Sequence, residues 1–451
     1  MPEISQSRSK WVPTIGMVLA LIILLGAWLR LDAAFETVVE HPVRADAADY
    51  VAAGYNIRNF STYSTNWTDA EATKPPAPNA QREPGYPAFL SLFLSGAPDW
   101  NFVRNVLLAQ AILGIATIPV LYRLGTILMP ARWALLPAFL TAISPKLVTA
   151  GTYLLTETLF TTLLVVAITC IAWQCKRPEH RWMPVIGGLL LGLATLTRPT
   201  TQYILSFILL AILPSLQKQY RLHHALGLVA GFVVAVAPWA VRNIQVIDHA
   251  SDPTLAINTL IHGHYPWMMY DARQETLGYP YRFDPQIQDL SASIGSALKG
   301  IFLRIQQSPG EYLQWYLLGK PIAFLSWADP AASREIFTYP TLYSPYHDSP
   351  VFMVSLGLAR ATHWVWVVLC IAATALAFRP QAKDLPALRL LAVTFIYFVL
   401  LHMAGFPIAR YNIPLMPLVF VLAGYALCTV AKRLIQPHMA EKHQSSFKLP
   451  N

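Results

Sequence analysis

Ten runs of apolar residues constrain this chain more than any single motif, because about 17 to 25 such residues are what a helix needs to cross a bilayer. They fall at about 12–32, 102–122, 133–150, 156–175, 184–197, 200–216, 222–242, 351–378, 387–405 and 411–432, the fifth being the shortest. Within hydrocarbon, each backbone N–H and C=O has to be satisfied inside its own segment, so runs of this kind form helices. The chain is 55% hydrophobic and only 13% charged, too apolar for a soluble protein's surface. The expected fold is an all-α polytopic membrane protein with about ten or more transmembrane helices and extracytoplasmic loops that carry juxtamembrane helices. The basic lead at Arg8 and Lys10 precedes a long run with no convincing cleavage site, so the first segment is expected to be a retained span.

Charge fixes the orientation. Arg8 and Lys10, then Arg123 and Arg132, Lys176 with Arg177 and Arg181, Lys218 and Arg221, Arg379, Lys383 and Arg389, and finally Lys432, Arg433, Lys442 and Lys448 occupy one side. That side is expected to be cytoplasmic, and it accounts for the net charge of +9 without a nucleic-acid partner. The expected organisation is one transmembrane unit over residues 1–432 with a cytoplasmic tail over 433–451, disordered after about His438. Two long segments, 33–101 and 243–350, go to the opposite face, and their Trp, Tyr, Pro and charge content marks them as the working surface. Within the second, residues 308–327 are apolar and aromatic but interrupted by Lys320-Pro321, which suggests an interfacial or re-entrant helix. Cys170, Cys175, Cys370 and Cys428 all lie in or beside apolar runs and imply neither disulfides nor a zinc site.

The first long loop opens with Asp46 and Asp49. On a helix these two carboxylates share one face, continued by Tyr50 and Ala53. Nine basic residues that the charge rule does not predict lie on the same outer side: Arg44, Lys74, Arg82, Arg104, Lys146, Arg198, Arg242, Lys320 and Arg410. Each alone can be a lipid-facing side chain that reaches the headgroups. Together they suit a phosphate-bearing ligand, since guanidinium groups bind phosphate in a two-pronged fashion. Glu157 opens a spanning segment, either as a first-turn carboxylate favoured by the helix dipole, with Thr156 as cap, or as the partner of an arginine such as Arg198. Arg82-Glu83-Pro84 makes a rigid turn with two charged candidates for substrate contact. His262 and His264, with Asp271, raise the question of a metal, but the spacing matches no strong signature; a divalent metal is not favoured and no cofactor is implied. There is no P-loop, HExxH or GxSxG motif, so nucleotide hydrolysis is not implied.

Taken in order, Asp46-Ala-Ala-Asp49-Tyr50, Arg82-Glu83-Pro84-Gly85-Tyr86-Pro87, Thr156-Glu157-Thr158, Leu196-Thr197-Arg198-Pro199, Pro238-Trp239-Ala-Val-Arg242-Asn243 and Arg410-Tyr411-Asn-Ile-Pro414 resemble the GT-C glycosyltransferases. Within them the sequence is most similar to bacterial members related to protein O-mannosyltransferases and to the lipid A aminoarabinose transferase. The resemblance spans about residues 10–432, through short motifs whose order is the stronger signal. It implies an inverting transfer of a sugar from a polyprenyl-phosphate carrier to a glycan, lipid or protein acceptor outside the cytoplasm, in a bacterial inner membrane. By position it gives Asp46 the role of general base, with Asp49 as the open alternative. It implies a substrate-binding set of Glu83, Arg82, Lys74, Tyr50, Glu157, Arg198, Arg242, His264 and Arg410. The Trp-Trp-Asp motif of oligosaccharyltransferases is absent, which counts against Asn-linked transfer. A transporter or flippase of lipid-linked sugars is the alternative from another class, and a ligase using a pyrophosphate-linked carrier is a third.

Overall fold

The computed structural model describes residues 3–68, 74–327, 339–380 and 385–445, so Lys383 and Lys448 of the orientation argument lie outside the described residues. The chain begins with α1 (Glu3–Glu36), followed by strand β1 (Val38–Val39) and the outer-loop helices α2 (Asp46–Phe60) and α3 (Gly85–Ser91). Next come α4 (Trp100–Leu128), α5 (Ala131–Ile143), α6 (Pro145–Ala150), α7 (Glu157–Lys176), α8 (Met183–Thr197), α9 (Ile204–Ile212) and α10 (Lys218–Ile247). The second outer segment holds α11 (Thr254–His264), α12 (Ile287–Ser291), α13 (Ile294–Gln307), α14 (Pro309–Gln314), α15 (Lys320–Leu325) and strand β2 (Thr341–Tyr343). The chain then returns through α16 (Pro350–Ala377), α17 (Pro386–Ala404) and α18 (Met416–Ser445).

All ten apolar runs are helical. Seven of these helices are long and apolar enough to cross a membrane, and three are shorter: Ala131–Ile143, Met183–Thr197 and Pro199–Ser215. The run expected at 133–150 is two helices, α5 and α6. Pro145 excludes helical backbone at Ser144, whose ψ is 113°, and starts α6. The segment at 308–327 also departs from expectation, because Lys320-Pro321 does not interrupt it. A π turn over Trp315–Gly319 joins α14 to α15 and loosens the helix ahead of Pro321, where a ring would otherwise crowd the preceding turn. The tail is likewise helical as far as Ser445, beyond the disorder expected from His438.

The centre of the bundle is built from α7, α17 and α18. Phe160, Leu164, Ile168 and Ile171 of α7 are fully buried with Leu388 and Leu391 of α17 and Leu418 and Leu422 of α18. By contrast α10 and α16 keep most of their apolar residues on the outside, as helices facing lipid do. Between the two long segments, β1 pairs antiparallel with β2, Val38 opposite Tyr343 and Val39 opposite Thr341, so the end of the second segment is fastened to the start of the first. Tyr339 adds to that fastening: its hydroxyl accepts from the Ala47 N–H at 3.2 Å and donates to the Arg44 carbonyl at 3.1 Å. Ala45, between them, has a positive φ of 46°, a conformation that costs a non-glycine residue energy and is held by these contacts.

Candidate active site

The first turn of α2 presents both carboxylates, as the spacing predicts, near the positive end of the helix. One guanidinium spans them. Arg82 donates from Nη2 to Asp46 Oδ1 at 2.8 Å and from Nε to Asp49 Oδ2 at 2.9 Å. Arg82 reaches this position because the turn carrying it sits against the end of α8. A Cβ on Gly85 would lie 2.7 Å from the Leu196 carbonyl oxygen, so only glycine permits the approach. Tyr50 packs beside it, with the Arg82 guanidinium 5.6 Å from its ring centre, and meets Tyr86 edge-on at 5.3 Å. Burial works against the Arg82 charge, but Tyr50, Asp46 and Asp49 more than offset it and raise its pKa above the ordinary arginine value.

A second guanidinium carries the network into the bundle. Arg410, in the turn before α18, lies 3.6 Å from Asp46 Oδ2 and donates from Nε to Glu157 Oε1 at 2.7 Å. Arg198, at the end of α8, approaches the same Glu157 oxygen at 3.2 Å and stands over the Tyr411 ring at 4.6 Å. Glu157 is therefore the arginine partner that the sharper sequence reading anticipated. Thr156 does not cap α7 with its side chain; its hydroxyl takes a bond from Arg198 at 3.4 Å instead. Glu157 Oε2 is buried with no partner among the described residues.

The network alternates Asp49, Arg82, Asp46, Arg410, Glu157 and Arg198, three carboxylates against three guanidiniums. It is open at one end and closed at the other. The side chains of Asp46 and Asp49 are 36% and 39% exposed, whereas that of Glu157 is 2% exposed. The two aspartates and Arg82 are accessible from outside the network, while Glu157 is enclosed between Arg198 and Arg410.

The other expected site residues lie elsewhere. Lys74 is exposed and enters no ion pair among the described residues. Arg242 donates to the carbonyls of Asn79 and Tyr63 at 2.8 and 3.0 Å and stacks on Tyr63 and Trp239, so it holds the first loop against α10. Glu83 turns away from its neighbour Arg82 toward Trp239; burial, against that hydrogen bond, pushes its carboxyl up to about 7. His264 belongs to a separate cluster with Arg304, Asp284 and Tyr265, and its Nε2 lies 2.9 Å from Arg304 Nη1. Lys146 and Lys320 are buried on protein oxygens, of Ser326 and Asn412 and of Met403 and Gly405 respectively. Among the described residues no three His, Cys, Asp or Glu side chains converge as metal ligands. Two contributors escaped the sequence reading: Tyr339, and Gln110, which takes the Tyr86 hydroxyl at 2.9 Å and donates to the carbonyls of Gly151 and Tyr153. A polar Gln110 inside an apolar run was the available signal.

With seven helices long and apolar enough to cross a membrane, the bundle is that of an integral membrane protein with the GT-C glycosyltransferase fold. The profile of the family described as dolichyl-phosphate-mannose-protein mannosyltransferase matches residues 83–241, which include Glu83, Glu157 and Arg198 but neither Asp46 nor Arg410. Among solved structures, the chain is similar to the oligosaccharyltransferase AglB from Archaeoglobus fulgidus in complex with an inhibitory peptide and a dolichol-phosphate. The TM-score is 0.54 at 16% identity, over 97% of this chain and 52% of that one. The apo form of the Archaeoglobus fulgidus enzyme gives 0.53 at 15% identity, over 98% of this chain and 53% of that one. The chain thus spans about half the length of these relatives, and at such identity the likeness is one of fold alone. ArnT from Cupriavidus metallidurans bound to undecaprenyl phosphate aligns over 88% of this chain and 77% of that one at 16% identity, but its TM-score of 0.38 is too low to carry an argument. No curated protein matches by sequence.

Proposed function

We propose that this protein transfers a sugar from a polyprenyl-phosphate carrier to an acceptor hydroxyl on the outer face of a bacterial plasma membrane, with inversion at the sugar carbon. The observation that carries the reading is the ion network, in which two accessible carboxylates meet arginines at the outer end of the bundle. Asp46 is the general base. As the acceptor oxygen bonds to the anomeric carbon, its proton passes to Asp46, and the bond from that carbon to the carrier phosphate oxygen breaks on the opposite side. The phosphate leaves with the bonding electrons, and arginine neutralises the charge that develops.

Arg82 links the two halves of the site. It is the most accessible of the three arginines and already holds both aspartates. An arriving phosphate competes with them for the same guanidinium, so donor binding frees Asp46 to accept a proton. Arg410 and Arg198, braced by Glu157, keep positive charge near the leaving group. Tyr50 forms an aromatic side of the pocket, and Asp49 positions the acceptor. Glu83, Lys74, Arg242 and His264 act at a distance from the reacting atoms, through the loops that shape the cleft.

The test is reconstitution of the full chain in vesicles with a polyprenyl-phosphate sugar and a mixture of glycan, lipid and peptide acceptors, followed by mass spectrometry. A covalent product heavier by one sugar residue is expected. Movement of the lipid-linked sugar across the bilayer with no such product would instead support a flippase.

A further inference from the structure

A small, partly open cavity of about 20 Å³ lies between helices of the bundle, with a few polar atoms in its mostly apolar lining. Its lining includes Arg30 of α1, Gly114 and Thr117 of α4, Thr141 of α5, and Thr158 and Thr161 of α7. Arg30 is only 4% exposed and sits within the first membrane-spanning helix. A buried charge at that depth is costly unless it is compensated. Here the partial compensation comes from neutral carbonyls. Nη1 donates to Gly26 and Ala142 at 3.1 and 2.9 Å, and Nη2 donates to Thr141 at 2.8 Å. No carboxylate pairs with Arg30 among the described residues.

One guanidinium nitrogen is left without any partner. Arg30 Nε has no hydrogen-bond partner in the described protein, and neither do the hydroxyls of Thr141 and Thr158, both more than nine-tenths buried. The space at Nε exists because residue 114 is glycine: a Cβ there would lie 2.8 Å from it. An N–H can only donate, and the two hydroxyls are free to donate as well. These three unpartnered groups, and a positive charge met by carbonyl dipoles alone, thus surround a volume sufficient for a single small occupant.

We propose that this cavity binds a monovalent anion of halide size. A water molecule could satisfy the donors but would leave the positive charge on Arg30 unneutralised. The bound anion joins α1, α4, α5 and α7 at one point. Thr158 directly follows Glu157, so the anion also steadies the first turn of the helix on which the outer ion network rests. This inference stands apart from the proposed transfer reaction and survives its failure.

The experiment is thermal unfolding of the purified full chain in detergent, titrated with chloride or bromide against gluconate at constant ionic strength, with anomalous diffraction from bromide-grown crystals. The expected result is a saturable rise in melting temperature with either halide and none with gluconate. An anomalous peak should fall between Arg30 and Thr158, and the apparent halide affinity should weaken at least tenfold in Thr158→Val. Arg30→Gln should abolish the rise; if that variant fails to fold, the near-isosteric Thr158→Val still decides the matter. Equal melting temperatures in halide and gluconate would overturn the proposal. So would a halide effect that Thr158→Val leaves intact, or a cavity in the bromide crystals that shows water alone.

Discussion

Two charged clusters lie in the two long segments between spanning helices, and they are built oppositely. In the second outer segment, Arg304 meets Asp284 at 2.8 Å, Gln286 at 2.9 Å and His264 at 2.9 Å, while the Tyr265 hydroxyl donates to Asp284. All of these residues fall between positions 264 and 304, and the Asp284 side chain is 1% exposed. Burial and Arg304 push the His264 imidazole down to about 3, so it stays neutral and accepts the arginine's hydrogen bond. In the first loop, Asp46 and Asp49 take their arginines from positions 82 and 410, and more than a third of each carboxylate side chain remains exposed. The cluster built from nearby residues is closed and fastens a lobe. The one assembled from distant segments leaves its carboxylates open to a ligand.

Four substitutions break or sharpen that contrast, with the largest effect expected in the open cluster. Asp46→Asn should lower the transfer rate by about 10²- to 10⁴-fold, the usual worth of a general base. Its melting temperature should stay near that of the wild type, because an amide oxygen still accepts from Arg82. In the closed cluster the effect should be on stability instead: Asp284→Asn removes the charge that faces Arg304 and weakens the bond from the Tyr265 hydroxyl, and should cost about 1–3 kcal/mol. Thermal unfolding in detergent measures that loss, and the protein that remains folded should turn over within a few-fold of the wild-type rate.

Glu83 gives a pH test between these extremes. The folded protein retains its proton up to about pH 7, whereas the unfolded chain releases it near the ordinary carboxylate value. Stability associated with the neutral form is therefore complete at low pH and is lost as pH rises through about 7. Glu83→Gln lacks this loss and should gain on the wild type as pH rises from 5 to 8, by at most ~3 kcal/mol. Equal pH dependence of the two proteins in unfolding experiments would contradict the burial of that carboxyl. The smallest effect is expected at Lys74, whose exposed side chain pairs with nothing described: Lys74→Ala should change the transfer rate less than twofold.

Much of this arrangement was legible in the sequence because its signals are local. Apolar length marks the ten helices, and the Asp46 to Asp49 spacing already places both carboxylates on one helical face. Ser144-Pro145 could have shown the break between α5 and α6 had the residue before proline been weighed as a helix stop. The partners of each charge were not legible. Nothing local says that Arg410 reaches Asp46 and Glu157, or that Arg242 and Lys320, alike in type and on the same side, are consumed by backbone carbonyls. Those assignments depend on how α8, α10 and α17 pack, and packing is set by contacts far apart in the chain. The π turn before Pro321 was hidden for a related reason, since helical continuity there depends on the burial of Trp315 and Lys320.

The account rests on Asp46 more than on Asp49. Both share Arg82, but only Asp46 also faces Arg410 and, through it, Glu157. The most direct measurement is the single-turnover rate of sugar transfer in vesicles for Asp46→Asn and Asp49→Asn at equal amounts of folded protein and saturating donor. The account predicts that Asp46→Asn loses at least 100-fold while Asp49→Asn loses no more than about tenfold, in line with the different worth of a base and a positioning group. A wild-type rate in Asp46→Asn, or the reverse order of losses, would contradict it.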